Sequence, residues 1–157
     1  MLAASAARVC TNDSCPHGKL SSAPQAGTPH MLSTFDHIVL TTADLERCLD
    51  FYTRALGMTL EHYGANRIAL KFGPHKLNVH PPGFDAAIKA RIPTPGSLDL
   101  CFLADRPLSD VIAHLRSCGV AIEEGPSVRT GARFPIRSVY VRDPDGNLIE
   151  ISEPAGA

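Results

Sequence analysis

The feature that most constrains this chain is that one order of elements occurs twice. Residues 35–41 (FDHIVLT) are short and rich in β-formers, which predicts a strand. Asp44 follows as a helix N-cap. Leu45, Leu49, Tyr52 and Leu56 then fall on one apolar stripe, which Gly57 ends. Three short strands are predicted next, near 58–63, 67–72 and 76–80, with turns at Gly64–Asn66 and Gly73–His75. After a Pro/Gly-rich bridge from Pro81 to Gly96, the order returns. A strand is predicted at 97–103 (SLDLCFL). A helix follows Pro107, with Leu108, Val111, Ile112, Leu115 and Cys118 on one face, and ends at Gly119. Further strands are predicted near 120–124, 137–142 and 147–152, the last two joined by the turn Asp143-Pro144-Asp145-Gly146-Asn147.

The repeat sets the phase of the two halves. His37 stands twenty residues before Gly57, and Asp99 stands twenty before Gly119. They are equivalent positions on the first strand of each half, while His80 and Glu150 sit on the last strand of each. The expected fold is therefore α+β: two βαβββ modules in one chain, repeated as small half-sheets with one helix each.

Four polar residues interrupt otherwise apolar strands: His37, His80, Asp99 and Glu150. Side chains alternate between the faces of a strand, so the flanking Ile, Leu and Val should face the helices and the polar four the opposite side. A buried carboxylate without a partner is costly. Two imidazoles and two carboxylates suit one divalent ion, and Zn, Ni, Co, Mn and Fe(II) all accept that set. Asn78 has the same strand parity as His80 and competes with it for the pocket. Cys101 shares the parity of Asp99 and reads as lining. The basic stretch Arg129 to Arg133 reads as a loop before the seventh strand, able to hold a carboxylate or phosphate.

The stretches FDHIVLTTADLERCLDFYTRALGM, ALKFGPHKLNVH and YVRDPDGNLIEIS resemble the vicinal oxygen chelate superfamily, which holds glyoxalase I, extradiol dioxygenases, fosfomycin-resistance thiol transferases and bleomycin-binding proteins. PGSLDLCFL and IEEGPSVRTGA resemble, within it, the branch of glyoxalase domain-containing protein 5 and its bacterial relatives. The resemblance covers about residues 34–153. It implies a U-shaped, partly open mixed β-barrel around a metal, with a ligand on the first and last strand of each module. Those places fall on His37, His80, Asp99 and Glu150. It implies Glu150 as the proton-moving base, a small oxygenated substrate, glutathione as a possible co-substrate, and a homodimer. It departs from bacterial glyoxalase I in residue type, with His80 for a Glu and Asp99 for a His, and that disturbs the base of the glyoxalase reaction.

Residues 1–33 differ in composition and are expected to be a disordered or targeting tail ahead of a domain at 34–153. A second methionine, Met31, stands at its end. Cys10, Cys15 and His17 in this tail match structural zinc spacing poorly. Lys+Arg 15 against Asp+Glu 16 leaves a net charge of -1, which speaks against a nucleic-acid partner. The absence of a long apolar run speaks against a membrane span. Five cysteines without a Cys-x-x-Cys point to a reducing compartment, the cytoplasm or the mitochondrial matrix if the tail is a transit peptide. There is no phosphate-binding Gly-rich loop, G-x-S-x-G or Cys/His nucleophile pair. The expected function is a metal-dependent glyoxalase-like lyase or isomerase. The alternatives are an Fe(II) dioxygenase and a protein that sequesters a small molecule without catalysis.

Overall fold

Eight strands fall into two four-stranded mixed sheets, each built around a parallel pair. The structure, a computed structural model, describes residues 31–156. The expected tail, including Cys10, Cys15 and His17, lies outside the described residues except for 31–33, which carry no helix or strand. The first module runs β1 (His37–Thr41), α1 (Leu45–Asp50), a π-helical turn (Phe51–Ala55), β2 (Thr59–Tyr63), β3 (Arg67–Phe72) and β4 (His75–His80). The second runs β5 (Asp99–Leu103), α2 (Leu108–Ser117), β6 (Glu124–Thr130), β7 (Pro135–Arg142) and β8 (Leu148–Pro154). The sheet orders are β1-β4-β3-β2 and β5-β8-β7-β6, so the two modules repeat the same topology.

Alternation along the strands sends one face of each sheet into a shared core. Leu40, Leu70, Leu77 and Val79 from the first sheet join Leu100, Val139, Val141, Ile149 and Ile151 from the second. Phe72 and Phe102 meet edge to face at 5.1 Å. The helices contribute Cys48, Phe51, Tyr52, Leu108 and Leu115. The core is built as the stripes require, and burying each such side chain is worth about 1.5–3 kcal/mol. Gly57 and Gly119 stand at φ 69° and 73° after their helices, the left-handed conformation in which glycine meets no steric cost.

The two helices are capped differently. The Asp44 side chain accepts from the Arg47 amide at 3.1 Å, within its own helix. Pro107 occupies the cap position of α2 and offers no side-chain acceptor. Glu153 of β8 supplies one, its Oε2 accepting from the Leu108 amide at 2.7 Å.

The turn at 143–147 fastens the halves together. Asp143 is buried and accepts from the Asn147 amide, the Asn147 side chain, the Asp145 amide and the Tyr52 hydroxyl. Asn147 Oδ1 accepts from the Leu98 amide, and Asp145 Oδ1 from the Ala43 amide, both at 2.8 Å. Burial, then the Asp143 charge, pushes the Tyr52 phenol far above its usual pKa.

The two sheets are not closed, in keeping with the partly open arrangement expected. Three other expectations need correction. The sixth strand begins at Glu124, not near 120, because Val120 and Ile122 pack against the core as an extended link. Consequently Arg129 and Thr130 belong to a strand, and the basic stretch is not all loop. This strand has few β-formers and contains Pro126, which an edge position beside a bulge tolerates. The end of the first helix widens into the π-turn, which lets the adjacent Phe51 and Tyr52 both reach the core. Among the described residues no helix is long and apolar enough to cross a membrane.

Candidate functional site

The faces turned away from the core carry the polar residues. On the first sheet, β1 and β4 run parallel with His37 opposite Lys76, Val39 opposite Asn78 and Thr41 opposite His80. On the second, Asp99 is opposite Leu148, Cys101 opposite Glu150 and Leu103 opposite Ser152. Superposing these registers makes His37 the counterpart of Asp99, as the repeat predicts. It makes Asn78, not His80, the counterpart of Glu150. His80 lies one step further along the face, where the second module has Ser152.

His37 opens β1, and its Nδ1 lies 2.7 Å from Asp36 Oδ1. That hydrogen bond holds the Asp36 carboxyl below its usual range. The Asn78 side-chain oxygen is buried and has no hydrogen-bond partner. His80 packs its ring against Phe84 at 4.7 Å. Burial, then the Arg67 and Lys89 charges, holds the His80 imidazole below its ordinary pKa. These three residues line a cavity of about 320 Å³ between the outer face of the first sheet and the segment from Ala86 to Leu98. A larger depression of about 420 Å³ lies on the helix side. There Arg54 is bonded to Asp50 and to the Cys118 carbonyl.

The second sheet presents a wired row. Tyr140 donates to Glu150 Oε1 at 2.9 Å, and Arg129 Nε donates to the Tyr140 oxygen at 3.1 Å. Arg129 also pairs with Glu124. The Tyr140 bond raises the Arg129 pKa; burial raises that of Tyr140, and Arg129 partly offsets it. Cys101 stands beside Glu150 with its sulfur 3.5 Å from Ser152 Oγ, which meets Ser138 Oγ at 2.8 Å. Burial pushes the Cys101 thiol up, the Ser152 bond offsets part of this, and the Glu150 charge adds to it. Asp99 is exposed at the start of β5.

The structure thus brings His37, Asn78 and His80 to one cavity and sets Asp99 and Glu150 on the corresponding face of the other sheet. Among the described residues of the single chain, no group of three or more His, Cys, Asp or Glu lies close enough to hold a metal ion. Tyr140 and Arg67 escaped the sequence reading, which noted Arg129 but placed it in a loop. The alternation of Tyr140 with Val139 and Val141 was the available signal for the first.

The sequence matches the model of the Glyoxalase/Bleomycin resistance protein/Dioxygenase superfamily over residues 34–151. It is 49% identical over 119 residues to glyoxalase domain-containing protein RDO1 of Mycosarcoma maydis, covering 76% of this chain and 67% of that protein. It is 46% identical over 123 residues to virulence protein STM3117 of Salmonella typhimurium, covering 78% and 85%. An integron cassette protein from the mobile metagenome of V. cholerae has a similar structure, with TM-score 0.79 and 48% identity, covering 82% of this chain and all of that one. The relatives support the broad glyoxalase-domain likeness and not the narrower branch suggested by PGSLDLCFL. With the repeated topology and this match over most of its length, the chain belongs to the glyoxalase/bleomycin resistance/dioxygenase, or vicinal oxygen chelate, superfamily.

Proposed function

We propose that this chain is a metal-dependent glyoxalase-like lyase or isomerase acting on a small oxygenated substrate. The observation that carries the reading is the register match of two polar pairs, His37 with Asn78 and Asp99 with Glu150. Each pair occupies the same place on the outer face of its module. Members of this superfamily commonly use a divalent metal. The donors suit such an ion in kind: an imidazole, two carboxylates and an amide oxygen. The unpartnered Asn78 oxygen supports its inclusion, and His80 is the alternative fourth donor.

In one chain the pairs stay apart, so the site we propose is completed by a second copy. Leu103 lies exposed on the outer face of the second module, which leaves that face open to a second copy. When bound, the ion supplies Lewis acidity to neighbouring oxygens of the substrate. Glu150 then moves the substrate proton. Tyr140 holds its Oε1 and so sets the orientation of the carboxylate, and Arg129 fixes the Tyr140 hydroxyl so that its hydrogen points at the carboxylate. The protonated Cys101 thiol forms the wall beside it.

The test is elemental analysis of the full-length protein beside a His37→Ala/Glu150→Ala variant, with sedimentation to read the oligomer. About one divalent ion per chain, lost in the variant, is expected. That result directs activity screens to free dicarbonyls and their glutathione adducts. No metal after reconstitution with Ni, Zn, Mn and Fe(II) overturns the reading. A second reading, sequestration of a ligand without catalysis, is favoured by one fact: the cavity over the first sheet is complete within a single chain.

A further inference from the structure

We propose that the cavity over the first sheet selects a small monoanionic substrate, its oxyanion held by Arg67 and its aliphatic part by the 86–98 segment. The inference rests on reading this face as the substrate site, and not on the metal. The lining contains two cations, Arg67 and Lys89, and no carboxylate. Lys89 is already paired with Asp85. Arg67 has no ion-pair partner among the described residues, so its charge is free for a ligand. A guanidinium in a partly enclosed, apolar-walled site recognises a planar carboxylate through paired hydrogen bonds.

The opposite wall is mostly apolar, with Lys89, Thr94 and Ser97 its polar members. Ala86, Ile88, Ala90, Ile92, Pro93 and Leu98 face this cavity, and Ile88 and Ile92 are 94% and 79% exposed. Large aliphatic side chains left open beside a free cation describe an amphipathic ligand, charged at one end. A volume of about 320 Å³ holds one small molecule, not a long chain.

The strand register gives the spacing. Ile68 pairs with Val79, so Arg67 stands beside His80, two residues along the face from Asn78. Two residues of strand measure about 7 Å. Arg67 and Asn78 thus rise from places on the same face about 7 Å apart along the backbone, within the span of a ligand of five or six carbons.

The test is titration calorimetry of the full-length protein, stripped of metal with chelator, against hexanoate, hexanamide and hexylammonium. Hexanoate should bind about tenfold tighter than hexanamide, and hexylammonium weakest. Arg67→Gln should abolish the preference, while Arg116→Gln on the exposed face of α2 should retain it. Equal binding of hexanoate and hexanamide, a preference that survives Arg67→Gln, or no binding at millimolar ligand overturns the proposal. Because the protein is metal-free, failure here with normal metal loading removes this proposal alone. Retained preference in a protein that never loads metal removes the metalloenzyme and leaves the anion site.

Discussion

Set against each other position by position, the outer faces of the two modules differ in how their polar groups are held. On the first, Asn78 has an unpartnered oxygen and the His37 ring is hydrogen-bonded to its chain neighbour Asp36. On the second, Glu150 is held by Tyr140, Tyr140 by Arg129, and Arg129 by Glu124. The same backbone thus carries a loose, ligand-ready face and a pre-set one. Pre-setting a carboxylate matters where a proton is to be moved, since reorientation during the reaction raises the barrier. Leaving donors loose matters where a ligand arrives to satisfy them.

The turns between the last two strands show the same asymmetry and should give the largest effect. In the second module Asp143 gathers four donors at the joint between the halves. In the first, His75 makes ring contacts alone, stacked on Phe35 at 4.2 Å and tilted against Phe72 at 5.9 Å. Asp143→Ala leaves several buried donors unpaired and should cost about 3 kcal/mol or more in urea unfolding. His75→Ala should cost under about 1 kcal/mol. Equal losses at the two turns would erase the distinction.

Those turns also explain what could be read in the chain and what could not. The repeat, the apolar stripes and the polar interruptions at His37, Asp99 and Glu150 were legible, because helix and strand periods act locally. The equivalence of Asn78 with Glu150 was not. Asn78 and His80 share a face, and only the cross-strand register separates them. Counting back from the turns misleads, because the first is one residue shorter: Phe72 to His75 stand where Asp143 to Asn147 do. The sixth strand was misplaced for a different reason. Its apolar preamble satisfies the core, while the strand is defined by pairing with β7 that no local pattern encodes. Arg129 was read as part of a loop because its strand, and with it the contact to Tyr140, is set by that pairing.

The next effect sharpens the contrast between the faces themselves. Tyr140→Phe removes the hydroxyl that orients Glu150 while keeping the ring. On any substrate the protein turns over, kcat should fall about tenfold, with KM and bound metal little changed. Tyr63→Phe on the first sheet, where the ring lies under the Lys76 ammonium at 4.4 Å, should leave kcat within about twofold. A matching loss in both variants would mean that Tyr140 acts through general packing rather than by positioning the carboxylate.

The smallest effect lies in the helix caps, where the modules differ again. Asp44 caps α1 from within, whereas Glu153 reaches from β8 to cap α2 and also pairs with Arg137. The Leu108 amide, then Arg137, holds the Glu153 carboxyl below its usual range. A depressed folded-state pKa contributes stability above the unfolded value. That contribution is lost as pH falls from roughly 4.3, the ordinary glutamate value, through the lowered folded one. Glu153→Gln keeps the shape and removes the charge. It should lower the melting temperature by a few degrees at neutral pH, and the gap to the parent should close as the buffer becomes more acidic than the folded pKa. A gap that stays constant across the acid range would show that Glu153 acts through shape alone. Hydrogen exchange separates the two caps: loss of Glu153 should loosen the first turn of α2 together with the end of β8, whereas Asp44→Ala should loosen only the first turn of α1.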